Sequence, residues 1–93
     1  MSSYAQDKDE LLTRLSRAEG QVRGVARMVN DDKYCIDILT QISAIQGALD
    51  QVALALLRDH TEHCMQNGTI DSSSRQEKSD ELVAAVGRLL RAK

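Results

Sequence analysis

The chain has 93 residues, a formal net charge of −2, no Pro, Trp or Phe, and only two Tyr. That length gives one domain whose core must be built from Leu, Ile, Val and Ala, a size at which oligomerisation commonly supplies missing stability. No apolar run approaches the roughly 20 residues that span a bilayer, and the net acidity by itself argues against nucleic-acid binding, which needs clustered Lys and Arg.

Met1 to Glu10 is polar and acidic and does not read as a signal peptide. The chain is therefore expected in the cytoplasm, where its two cysteines stay reduced and serve as ligands, redox groups or buried thiols rather than as a disulfide. Residues 1–7 and 92–93 are expected to be flexible ends of a single domain spanning 1–93.

The first predicted helix runs from about Lys8 to Val29. Leu11, Leu15, Ala18, Val22, Val25 and Val29 recur at alternating spacings of four and three, a narrow apolar seam. Gly20 and Gly24 interrupt it at a cost of about 1 kcal/mol each relative to Ala, and so mark a close approach of another backbone. Asn30-Asp31-Asp32 supplies a stop followed by N-cap candidates.

The second helix is predicted from about Lys33 to Met65, with Asn67-Gly68 as its terminator. Its seam is Cys35, Ile38, Ile42, Ile45, Leu49, Val52 and Leu56. A second stripe of Leu39, Ala53, Leu57, His60 and Cys64 lies beside it. A helix of this length, about 50 Å at 1.5 Å per residue, outruns what a compact monomer can cover. The third helix begins after Ser72-Ser73-Ser74 and carries Leu82, Val83, Val86, Leu89 and Leu90. It is expected on the outside of a bundle. The fold class is all-α, with three helices per protomer.

His60 and Cys64 are four apart and share one helical face, a spacing that suits two ligands of one metal. Cys35 stands 25 residues before His60, about 37 Å away along a straight helix. One chain cannot bring the three together. An antiparallel pair of second helices can, if the two-fold axis passes between Ala48 and Leu49. Cys35 then faces position 62 of the partner, and Ala44, Gly47 and Ala48 are small enough for close crossing. Two thiolates and one imidazole favour Cu(I) or Zn(II), and a three-ligand site suits Cu(I) better. His63 is the spare donor, pointing off that face; it reads as an exposed polar residue, and Met28 and Met65 read as packing residues. On spacing alone, a small core cysteine is an equal alternative to a ligand.

The segments RLSRAEGQVRGVARMV (14–29), YCIDILTQISAIQGALDQVALALL (34–57) and DHTEHC (59–64) closely resemble the CsoR/RcnR family of metal- and metabolite-responsive repressors. The resemblance covers nearly the whole chain. It implies an antiparallel four-helix-bundle homodimer that assembles into a dimer of dimers, and a repressor that binds operator DNA and releases it on Cu(I) binding at Cys35, His60 and Cys64. It also implies that Tyr34 and Glu81 link ligand His60 to the rest of the fold, an arrangement consistent with the need of a ligating imidazole for an acceptor at its other nitrogen. It places DNA contact at Arg14 and, by extension of the same basic character, at Arg17, Arg23 and Arg27. The nickel- and cobalt-sensing branch places a His near the amino terminus and another at the last ligand position, where this chain has Cys64. The sulfur-responsive branch has a second Cys where His60 stands, and the formaldehyde-responsive branch lacks a Cys at the position of Cys64.

One departure concerns the DNA surface. Copper sensors of the family often carry Lys or Arg in the middle of the second helix, where this chain has Gln51; Lys33, Arg88, Arg91 and Lys93 are the residues placed to compensate. The alternatives are a thiol- or metabolite-responsive repressor of the same fold that uses Cys35 as nucleophile, and a metal-binding helical bundle that never meets DNA. No nucleophile-base-orienter set stands out, and an enzyme is not expected.

Overall fold

The order of elements follows from where the chain can and cannot continue a helix. The computed structural model describes the backbone of residues 4–66 and 72–91 and the side chains of 4–63 and 75–90. A 3-10 turn at Ala5–Asp7 leads into α1 (Lys8–Asn30), followed by α2 (Cys35–Gln66) and α3 (Ser72–Arg91). All three predicted helices are present, and no strand occurs among the described residues. Asn67 and Gly68, the predicted terminator of α2, lie outside the described residues.

The α1–α2 connection is made differently from the capping expected of Asp31 and Asp32. Lys33 N–H donates to the Met28 carbonyl (3.0 Å) and Asp32 N–H to the Val29 carbonyl (3.2 Å). These six-to-one and five-to-two bonds form a Schellman C-cap, with Asp32 in the left-handed conformation at φ 57°. Asp is one of the few non-glycine residues that adopts this conformation readily. Asp32 therefore closes α1 instead of opening α2. The carbonyl of Tyr34 begins α2, accepting from Asp37 (3.0 Å) and Ile38 (3.2 Å).

The chain divides into two compact units, Met1–His63 and Cys64–Lys93. In the first, the short 31–34 connection folds α1 and most of α2 into an antiparallel hairpin, with Asp7 against Asp59 at its open end. The contact seam uses every seventh residue. Leu11 and Ala18 on α1 are buried, Val25 half-buried; Ile45 and Val52 on α2 are buried and Ile38 half-buried. The other half of each predicted seam is bare. Leu15, Val22 and Val29 on α1, and Ile42, Leu49 and Leu56 on α2, are all exposed, Val29 to 58%. Full burial of one such side chain is worth about 1.5–3 kcal/mol, so the hairpin leaves a large apolar gain unused.

Gly20 and Gly24 do not mark a backbone approach within the chain. A Cβ at either would meet only the guanidinium of Arg23 or Arg27, at 3.7 Å, and a Cβ at Gly47 would meet nothing within 4 Å. In the second unit, α3 is held locally by Gln76 Nε2 donating to Asp80 Oδ1 (3.0 Å). Helix formation there starts at Ser72, ahead of the predicted point after the serine run. Among the described residues no helix is long and apolar enough to cross a membrane.

Candidate metal centre

Cys35 opens α2 with a free, exposed thiol. It heads the bare row of α2: Ile42, Leu49 and Leu56 follow at intervals of seven. His60 lies in the part-buried C-terminal stretch of the same helix, about seven turns and about 37 Å from Cys35 by helical rise. Cys64 is one turn beyond His60; its side chain lies outside the described residues, as does that of Met65. No group of three or more His, Cys, Asp or Glu side chains capable of holding a metal occurs among the described residues. Cys35 and His60 lie on one continuous helix, so a single chain does not bring those two donors together. The donors suit a soft, low-coordinate cation, since two thiolates and one imidazole exclude hard oxygen-seeking ions.

The residues flanking the candidate ligands are placed as follows. Tyr34 is exposed, and its backbone starts the helix that carries all three donors. Glu81 is an exposed residue of α3. His63 is part-buried rather than the exposed residue expected, and makes an interaction of its own. Met28 is part-buried, in keeping with a packing role.

Immediately before His60, Asp59 occupies the next seventh position of the buried row after Ile38, Ile45 and Val52. It is only 9% exposed, and its Oδ2 has no hydrogen-bond partner. Its pKa is raised above the usual carboxylate value, first by its hydrogen bond with Asp7, then by burial and by the Asp7 charge, with Arg58 opposing. Sequence reasoning missed this pair. The signal was available: Asp59 continues an apolar heptad row that should have ended before it.

The described Lys and Arg residues are all exposed but unequally engaged. Arg14 donates through Nε (3.3 Å) and Nη2 (3.1 Å) to Glu10 Oε1, and Arg23 donates through Nη1 to Glu19 Oε1 at 2.6 Å. Arg14 and Arg17 share a shallow groove with Asp9, Glu10 and Thr13. Arg27 folds back over Gly24. Of the residues placed to compensate for Gln51, Lys33 and Arg88 are exposed, while the side chain of Arg91 and all of Lys93 lie outside the described residues.

Comparison with known proteins joins these features. Residues 7–88 match the family described as metal-sensitive transcriptional repressor. The copper-sensing transcriptional repressor RicR of Mycobacterium tuberculosis is 50% identical over 90 residues, which cover 96% of this chain and 94% of RicR. The copper-sensing transcriptional repressor CsoR of Bacillus subtilis is 48% identical, covering 82% of this chain and 75% of that one. Among solved structures, the copper-sensing repressor CsoR with Cu(I) from Geobacillus thermodenitrificans superposes with a TM-score of 0.79 at 45% identity, over 91% of this chain and 88% of the other. The nickel-responsive regulator InrS superposes with a TM-score of 0.72 at 40% identity, over 87% and 90% of the two chains. One helical fold thus serves a copper sensor and a nickel-responsive regulator. With the fold, the extent of the match and the level of identity all in agreement, the chain belongs to the CsoR/RcnR family of metal-sensitive transcriptional repressors, which are not enzymes.

Proposed function

We propose that this protein is a cytoplasmic Cu(I)-responsive repressor that binds operator DNA in its metal-free form and releases it when Cu(I) is bound, so that copper-resistance genes are expressed. The observation that carries this reading is the donor set Cys35, His60 and Cys64, on one helix and too far apart for one chain, in a protein 50% identical to a copper-sensing repressor. We read residues 1–93 as one domain that works as a homodimer, two of which pair into a tetramer. The bare row of Ile42, Leu49 and Leu56 supports this, because an antiparallel copy laid on it covers the apolar surface and brings Cys35 beside His60 and Cys64 of the other chain.

Cu(I) supplies a preference for thiolate and imidazole at low coordination number. This chain's residues do the rest. Cys35 joins one protomer to the other, His60 and Cys64 hold one turn of α2, and Tyr34 and Glu81 orient His60 through its remaining ring nitrogen. DNA contact falls to Arg14, with Arg17, Arg23 and Arg27 adding to it. Linkage requires that DNA weaken copper binding by the same factor by which copper weakens DNA binding.

Anaerobic Cu(I) titration against a competing chelator, with X-ray absorption of the product, tests the ligand set. The expected result is one tight Cu(I) per protomer in a three-coordinate shell of two sulfurs and one nitrogen. Absence of a tight Cu(I) site, together with a covalent mass shift on Cys35 in the presence of thiol-reactive metabolites, would replace this reading with a thiol sensor.

A further inference from the structure

The DNA surface of this chain lacks a basic residue at Gln51, and the structure points to what stands in for it. Helix α2 has 32 residues and only one Lys or Arg among them, Arg58. That residue lies seven positions beyond Gln51, about two turns and about 10 Å further along the same helix face. Arg58 and Gln51 line one cleft between the two helices of the hairpin, and Arg14 lines it from the α1 side. The lone cation of α2 is thus not scattered on a solvated face. It opens onto the same cleft as the arginine to which DNA contact is assigned.

The two guanidinium groups differ in availability. Arg14 is held by Glu10 through two hydrogen bonds. Arg58 is exposed; it attracts the neighbouring Asp59 carboxyl, but among the described residues no ion pair holds it. A phosphate approaching the cleft meets Arg58 without displacing a bound carboxylate. Asp7 and Glu10 also line the cleft, so a phosphate there needs both arginines to outweigh the acids.

We propose that Arg58 is a phosphate-contacting residue of the DNA surface, acting with Arg14 across the α1–α2 cleft in place of a basic residue at Gln51. This rests on the repressor reading above. The contact is with the backbone of duplex DNA, so it contributes affinity and salt dependence and carries no base specificity. Its place two residues before His60 also puts a DNA contact and a candidate metal ligand on one stretch of helix. Any re-seating of that stretch moves both.

The test uses the metal-free full chain and a labelled duplex of the DNA upstream of its own gene, with anisotropy measured across a salt series. Arg58→Gln is expected to make the slope of log affinity against log salt shallower by about 0.9 for each phosphate no longer neutralised, with about an eightfold drop in affinity at about 0.1 M salt. Arg58→Lys retains the slope. Gln51→Arg placed in the Arg58→Gln background restores it. Circular dichroism and sedimentation confirm that each variant folds and assembles like the wild type, and Arg58→Ala serves if Arg58→Gln does not. Wild-type affinity and slope in Arg58→Gln overturn the assignment of Arg58 and leave the repressor reading standing. Absence of binding by the wild-type chain overturns that reading and this assignment with it.

Discussion

Asp7 and Asp59 meet carboxyl to carboxyl at the open end of the α1–α2 hairpin, with Asp59 in a row that Ile38, Ile45 and Val52 otherwise fill. Two carboxylates this close cannot both ionise cheaply, and the buried one keeps its proton to a higher pH. The side-chain hydrogen bond between them ties the turn before α1 to the part of α2 that carries His60.

The sign of the resulting pH dependence follows from the direction of the shift. The folded protein binds the Asp59 proton more tightly than the unfolded chain, whose value is near 3.8. The folded state therefore loses stability as pH rises from that value through the raised one. The metal-free Asp59→Asn variant, which keeps a donor toward Asp7, is expected to melt above the wild type at pH 7. The difference should shrink as pH is lowered toward 4. A melting temperature below the wild type at pH 7 that recovers as pH falls toward 4 would instead show that the carboxyl is stabilising as an anion.

Glu10 holds Arg14, and in the proposed repressor it competes with DNA for that guanidinium. Exposed ion pairs of this kind are worth about 0.2–1 kcal/mol, so Glu10→Gln is expected to raise the affinity of the metal-free chain for its upstream DNA by up to about fivefold at low salt. The same substitution should leave Cu(I) affinity unchanged. Unaltered DNA binding would mean that Arg14 is not at the DNA surface.

Cys35→Ala separates repression from response. It leaves Arg14 and Arg58 untouched, and the variant is expected to bind DNA like the wild type while losing the release by Cu(I). Tyr34→Phe and Glu81→Gln are expected to keep a Cu(I) site, weakened by about 10- to 100-fold, while also weakening release. Normal copper response in Cys35→Ala would remove it from the ligand set.

Small residues on the helix surfaces report on assembly. A Cβ at Gly47 meets nothing within 4 Å in the chain, and Ala in place of Gly within a helix gains about 1 kcal/mol of propensity. Gly47→Ala is therefore expected to stabilise an isolated hairpin. Gly47→Leu should instead weaken dimerisation, measured as a sedimentation equilibrium shifted toward monomer. If Gly47→Leu assembles like the wild type, the two copies of α2 do not cross at Ala44, Gly47 and Ala48.

Asp32 sets the corner of the hairpin. Its left-handed φ of 57° costs an ordinary L-residue about 1–2 kcal/mol. Asp32→Val is expected to lower stability by that amount, and Asp32→Gly to be neutral or stabilising, as read from denaturant midpoints. Equal midpoints for Asp32→Val and wild type would mean that the corner relaxes to another turn.

The helices were legible because their signals are local. Leu11, Leu15, Ala18, Val22, Val25 and Val29 announce α1 by spacing alone, and the absence of Pro lets α2 run unbroken. The role of Asp32 was not legible, since an Asp after Asn30-Asp31 serves equally as a C-terminal left-handed residue or as an N-cap. Only the hydrogen bonds of Lys33 and Asp32 distinguish the two.

The candidate ligands and the family membership were likewise legible in the sequence, the ligands through the resemblance of the segments that carry them, since spacing alone left a small core cysteine as an equal alternative. The tertiary structure alone decided how each seam divides. A heptad pattern names the apolar positions but not which partner covers each, and the hairpin covers Leu11, Ala18, Ile45 and Val52 while leaving Leu15, Val22, Ile42 and Leu49 bare. It also placed Asp7 against Asp59, and Arg14 across the cleft from Gln51 and Arg58. Each of these pairings joins residues far apart in the chain. They depend on the register of one helix against the other, which the packing of complementary surfaces sets and no local periodicity encodes.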